Sequence, residues 1–171
     1  MKAARVLIAL VVIAVIAFIC WYVLVPPPQN SGLLTIYYAK LDGTTLGMWT
    51  ISQRSMEPGE TPAQYLQYRA MYAAIQEVAG PPSNVQAIRF PVGTRVTSVG
   101  VSGSLATVDL SSDVTHQSGT FGENGQFKAL VYTLTALPPI RGVQVMVAGK
   151  RLETLPEGNL ELDAPLHRSD W

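Results

Sequence analysis

The chain has 171 residues, with twelve basic and twelve acidic side chains and a formal net charge of zero. That length holds one domain with room for an appendage. With Lys2 and Arg5 set aside, residues 26–171 carry ten basic and twelve acidic groups, near −2, which excludes the basic footprint that nucleic-acid binding needs. The single cysteine, Cys20, excludes a disulfide or thiolate metal site in anything that follows it.

Residues 1–5 read as a short cytoplasmic N-terminus. Val6 to Val25 is then an unbroken run of twenty residues without a charge. At about 1.5 Å per residue it reaches roughly 30 Å, the thickness of a bilayer hydrocarbon core. Lys2 and Arg5 precede the run and no basic residue follows it closely, so the positive-inside rule predicts a cytoplasmic N-terminus and an exported domain. Trp21 and Tyr22 fall where interfacial aromatics prefer to sit. The bulky outer end Trp21-Tyr22-Val23-Leu24-Val25 argues against a cleaved signal peptide. Phe18 and Ile19 before Cys20 argue against a lipidation site, and the length and uniformity argue against a buried core helix. The expectation is a single-pass signal anchor in the cell membrane. Residues 26–32, with Pro26, Pro27 and Pro28, form a stiff linker of polyproline type.

Residues 33–166 are expected to form the domain. Leu33 to Ala39 is rich in β-branched and aromatic residues and predicts a strand. Asp42-Gly43 turns the chain into a second strand marked by Leu46, Met48, Trp49 and Ile51. After a loop at 55–60, Thr61 is an N-cap, Pro62 opens a helix and Gln64 closes a capping box. Tyr65, Tyr68, Met71, Tyr72, Ile75 and Val78 recur at helical spacing, and Gly80-Pro81-Pro82 stops the helix. Val96, Val99 and Val101 lead through a tight Gly103-Ser104 turn into Leu105, Ala106, Val108 and Leu110, a β-hairpin. Residues 116–126 read as loop. A second helix is expected from about Gln126 to Leu137, with Phe127, Leu130, Val131, Leu134 and Leu137 on one face. Val143, Val145 and Val147 alternate with Gln144, Met146 and Ala148 as a half-exposed strand. Leu152, Leu155, Leu160 and Leu162 suggest one more short strand, and residues 167–171 a tail. The order β-β-α-β-β-α-β predicts a single small α+β domain with two helices packed on a β-sheet.

The chain offers little chemistry, so no catalytic, cofactor-binding or metal residue is assigned, and an enzyme is not expected. Gly100-Val101-Ser102-Gly103-Ser104 resembles a nucleophile elbow, but Ser104 replaces the last glycine and no helix follows, so it reads as the hairpin turn. Gly119, Gly122 and Gly125 could offer amides to an anion, yet their spacing is neither a P-loop nor a dinucleotide motif. They read as a loop and helix cap. Asp113 and His116 are too few donors for a metal, and Asp113 reads as a turn or cap residue. His167 reads as solvated or locally bonded, and neither histidine has a visible acid partner for triad geometry. Glu57 and Glu60 read as a solvated pair. Tyr65, Tyr68 and Tyr72 read as core and boundary residues rather than a stacking platform.

Five segments in order carry a family pattern: Gln76-Glu77-Val78-Ala79-Gly80-Pro81, Phe90-Pro91-Val92-Gly93-Thr94-Arg95-Val96, Leu105 to Ser111 (LATVDLS), Leu130 to Thr135 (LVYTLT) and Val143 to Gly149 (VQVMVAG). Together they resemble the GerMN domain family, the GerM-like proteins of sporulation and spore germination. The resemblance implies a helix-backed small sheet similar to ring-building motifs, suited to protein–protein assembly in the cell envelope. It puts Asp109 where it bonds loop backbone, and Tyr132 and Thr133 in packing and helix–sheet hydrogen bonding. The expected partners are envelope proteins and the membrane, through Val6–Val25, with self-association and no nucleic acid. A rival expectation is a module for peptidoglycan or a small envelope solute, with Tyr37, Tyr38, Trp49 or Trp171 for stacking. An enzyme would need a cavity joining Asp113, His116 and a serine.

Overall fold

The computed structural model describes residues 32–116, 120–156 and 158–171. The expected anchor Val6–Val25 and most of the linker lie outside these residues. Among the described residues no helix is long and apolar enough to cross a membrane. Gly32–Trp171 makes one compact unit.

Strands β1 (Leu33–Ala39) and β2 (Leu46–Ser52) pair antiparallel as a hairpin. Helix α1 (Pro62–Ala79) opens on the predicted capping box, in which Thr61 Oγ1 accepts from the Gln64 amide and Gln64 Oε1 accepts from the Thr61 amide. Gly80 ends it at φ 80°. Strands β3 (Val96–Ser102) and β4 (Leu105–Leu110) form the second hairpin around Gly103-Ser104. A short 3₁₀ turn (Ser112–Thr115) leads to α2 (Thr120–Thr135) and then β5 (Gly142–Val147), which lies parallel to β4. A final 3₁₀ turn spans Arg168–Asp170.

The predicted order of strands and helices holds, but the strands make two sheets rather than one. One is the β1–β2 hairpin and the other runs β3–β4–β5. Between them stands α2, whose Phe127, Leu130, Val131, Leu134 and following Leu137 are all buried, as their spacing predicts. Glu123, Gln126, Ala129 and Thr133 of α2 are buried as well, so this helix is covered on nearly every side. That position explains the split. The helix takes the place beside β1 that a further strand would fill, and the Tyr37 amide donates to Thr133 Oγ1 at 2.9 Å. Tyr132 meets Tyr37 edge-on at 5.8 Å, so this pair has the packing and helix–sheet bonding roles that the family pattern implies.

Four further expectations need correction. Helix α2 starts six residues earlier than its apolar spacing suggests, taking in Gly122 and Gly125. Two glycines and an asparagine weaken the local helix signal, yet Gly125 is required by contact: a Cβ there would lie 2.9 Å from the Ala39 Cβ. The core face of α1 is also rotated from its expected stripe. Ala70, Ala73, Ala74, Glu77 and Val78 are buried with Tyr65, while Ile75 is exposed and Tyr68, Met71 and Tyr72 are half-buried. Small side chains let α1 approach its neighbours closely, and the larger ones fill the periphery. Strand β5 is buried on both faces, not half-exposed, because the tail crosses its outer face and Gln144 Nε2 donates to the Leu162 carbonyl. That tail forms no strand. It is held by Leu155, Leu162 and Leu166 in the core and by an isolated bridge between Val143 and Leu166.

Candidate interaction surface

A strand edge exposes N–H and C=O groups that pair with whatever backbone or side chain comes beside them. In β1 the outward groups at Tyr37 and Ala39 are occupied by α2 and by residue 88: Thr133 Oγ1 accepts from the Tyr37 amide, and the Ala39 carbonyl accepts from the Ile88 amide at 2.9 Å. In β5 the Val143 amide and carbonyl both bond Leu166, and the Val145 carbonyl accepts from Gln144 Nε2. In β3 the cover is a single side chain. Gln67, reaching from α1, donates through Nε2 to the Val99 carbonyl and accepts through Oε1 from the Val101 amide at 2.9 Å. Its amide group imitates a passing strand.

Strand β2 has no such cover among the described residues. Lys40 bonds Thr45 and Gln53 bonds Gly32, so the even-numbered residues of β1 face their β2 partners. Gly47, Trp49 and Ile51 therefore bond β1, while the backbone of Leu46, Met48, Thr50 and Ser52 is directed away from it. The strand reads LGMWTIS, with no charge and no proline, and Met48 is 67% exposed. Tyr38 lies across Gly47 and meets Trp49 at 5.8 Å, which stiffens the hairpin from its core side. At its far end Phe121 sits on Gly43, and Leu41 is exposed nearby in the same turn.

Beside α1 lies a second surface. Tyr65, Tyr68 and Tyr72 stack in sequence at 6.2 and 5.9 Å, so they do form a stacked column as well as a boundary. The Arg54 guanidinium lies 4.0 Å from the Tyr68 ring and pairs with both oxygens of Glu60. That pairing draws the Glu60 carboxyl down to about 2. Glu60 is thus tied to Arg54, with Glu57 at 3.6 Å from the same guanidinium. Between Tyr68 and Met71 on α1 and Thr97, Ser98 and Val99 on β3 runs an open groove of about 420 Å³.

The remaining candidates fall apart in space. Asp113 accepts from Ser111 Oγ at 2.9 Å, and His116 meets it through backbone, closing the 3₁₀ turn. Among the described residues no three metal-ligating side chains gather. Ser104 ends the hairpin turn, where its carbonyl accepts from Arg141 and Gly142. Gly122 and Gly125 lie inside α2, and Gly119 is outside the described residues. The His167 ring packs on Gly142 with Nδ1 3.1 Å from the Arg141 carbonyl. Of the four aromatic residues proposed for stacking, only Tyr38 and Trp49 come together; Tyr37 pairs with Tyr132, and Trp171 packs against the core. Asp109 does bond loop backbone, accepting from the Gly149 amide at 2.9 Å.

Sequence reasoning passed over Gln67, Arg168 and two buried acids. Arg168 donates to Thr135 Oγ1 and the Tyr132 carbonyl, capping the C-terminal turn of α2, and lies 4.7 Å from the Tyr132 ring. Burial pushes Glu77 well above the usual carboxylate range. Glu123 is raised by burial too, although the Asn159 and Leu160 amides bond it. A signal for Glu77 was present: it follows Ala70, Ala73 and Ala74 on one helix face.

This is a small α+β domain with two helices and two sheets. The chain belongs to the family described as Germane, sporulation and spore germination, whose model matches residues 35–153. The GerMN resemblance drawn from the five segments is therefore right. Among solved structures, tandem GerMN domains of the sporulation protein GerM from Bacillus subtilis align at TM-score 0.58 and 19% identity, over 81% of this chain and 47% of that one. The first GerMN domain of the same protein aligns at 0.53 and 21%, over 80% of this chain and 99% of that one. A protein from Clostridium perfringens described as a lipoprotein aligns at 0.53 and 20%, over 81% and 88%. No curated protein matches the chain.

Proposed function

We propose that the chain is a non-catalytic GerMN module of the bacterial cell envelope, held at the membrane and working by binding other proteins during sporulation or spore germination. The open, uncharged edge of β2 carries this reading, since it offers backbone groups to a partner while, among the described residues, each other strand edge is bonded at its centre or end. Membership of the sporulation and germination family supports the setting. The Clostridium perfringens neighbour described as a lipoprotein supports a place at the membrane, reached here through Val6–Val25 with the domain outside the cytoplasm. The GerM neighbour carries two GerMN domains in one chain, of which this chain spans about half. A single module of this kind is suited to meeting another, and a tether raises its effective concentration for membrane-bound partners.

The test is crosslinking of the full chain in sporulating cells followed by identification of what it captures. A reproducible set of envelope proteins, lost when residues 1–25 are replaced by a cleavable export signal, is the expected result. Capture of nothing above background would overturn the reading. A second reading, binding of peptidoglycan or a small envelope solute, draws on the groove beside Tyr68. It requires binding of the chain to isolated cell walls that is lost in Met71→Trp, which fills the groove.

A further inference from the structure

We infer that the open edge of β2 is the seat of a second copy of this chain, whose own β2 pairs with it antiparallel about Trp49. The inference rests on the assembly reading above and specifies its surface. The geometry follows from which residues face outward. Backbone groups of Leu46, Met48, Thr50 and Ser52 point away from β1. Two such strands placed antiparallel about Trp49 set Met48 opposite Thr50 of the other copy and Leu46 opposite its Ser52. In that register every outward N–H meets an outward C=O, and β1–β2 becomes half of a four-stranded sheet.

The edge fits itself better than it fits a charged partner. Strand β2 carries no charge, so no like charges oppose one another across the seam and none is stripped of water without a counterpart. Met48, 67% exposed on its own, comes beside Thr50 and diagonal to the other Met48. Sheet edges are usually blunted by lysine, proline, a bulge or a covering group. The molecule uses a covering group at β1, β3 and β5 and none of these devices at β2 among the described residues.

The test uses the full chain in its membrane, with Cys20→Ser to remove the native thiol. Two differently tagged copies, one carrying Met48→Cys and the other Thr50→Cys, are expressed together and mildly oxidised. The register puts these Cα atoms about 5.5 Å apart, within disulfide reach. A mixed disulfide is expected. Two Thr50→Cys copies lie diagonally, beyond that reach, and are expected to crosslink at least tenfold less. The companion variant Met48→Lys is expected to weaken self-association about tenfold or more without changing thermal stability, because the position is exposed. Self-association that survives Met48→Lys with no mixed disulfide would overturn the β2 pairing and leave the assembly reading standing. A chain that stays monomeric yet captures envelope proteins would overturn the second copy as occupant. A chain that does neither would overturn both readings.

Discussion

The two sheets meet solvent in different ways. In the three-stranded sheet, β4 lies in the middle, β5 is overlaid by the tail, and β3 is held by the Gln67 side chain. In the β1–β2 hairpin the inner strand is bound to α2, and the outer strand ends the molecule with nothing beside it among the described residues. Both hairpins are of similar length and both contact α1. What separates them is one glutamine. An edge can be closed by a single side-chain amide at small cost, so leaving another edge open is a property of the surface rather than a shortage of strands.

The largest effect should come from the support that both sheets share. Phe127 is fully buried and meets Phe90 edge-on at 5.7 Å, so Phe127→Ala should cost about 3–5 kcal/mol. In urea, fluorescence and far-ultraviolet circular dichroism should lose structure at one lowered midpoint. Separate midpoints would mean that the hairpins unfold independently. The comparison sharpens with Gln67→Ala, which unhooks the β3 edge. It should cost about 1–2 kcal/mol for two lost hydrogen bonds. It should also raise concentration-dependent association, measured by light scattering, as β3 comes to resemble β2. Next is Arg168→Ala, which removes the cap of the helix between the sheets and should cost about 1 kcal/mol by thermal unfolding. Lysine at 168 should restore only part of it, because it cannot reach two acceptors with a planar fork.

Stability should also slope with pH. The folded Glu77 carboxyl sits above its unfolded value, so the folded state holds its proton longer. Its contribution is fully present below about pH 4.5, the ordinary value, and is lost as pH rises toward the raised folded value. Glu123 acts in the same sense. Glu60 and Asp42, both drawn down to about 2 by hydrogen bonds, act in the opposite sense, and their contribution is lost only as pH falls from the ordinary range toward 2. Glu77→Gln should therefore raise the melting temperature at pH 7 relative to the parent and make little difference at pH 4. An equal shift at both would mean that charge plays no part.

The element order could be read from the sequence because it rests on local signals: the Thr61 capping box, Gly80-Pro81-Pro82, the Gly103-Ser104 turn and the valine alternation of β3 and β5. The five-segment family pattern was legible for the same reason. What was not legible depends on contacts far apart in the chain. The first turns of α2 are held by Gly125 against Ala39, a contact across 86 residues that local propensity cannot see. The rotated face of α1 follows from how closely it approaches its neighbours, and the split into two sheets from α2 taking the place beside β1. The edge devices were hidden most thoroughly. A glutamine in mid-helix looks like any solvated residue until the strand it holds is placed 32 residues further on.

The grip of Arg168 on α2 also sets a timetable. A chain made from its N-terminus presents Leu34 and Ile36 long before α2 exists to cover them. The helix in turn waits for residue 168 to bond the Tyr132 carbonyl and Thr135 Oγ1, and β5 waits for Leu166. Until α2 emerges, the apolar hairpin face stands open together with the bare edge of β2. A growing chain that has not yet presented residues 166–168 leaves α2 without its Arg168 cap and β5 without its Leu166 bridge, and anything that slows their emergence lengthens that interval.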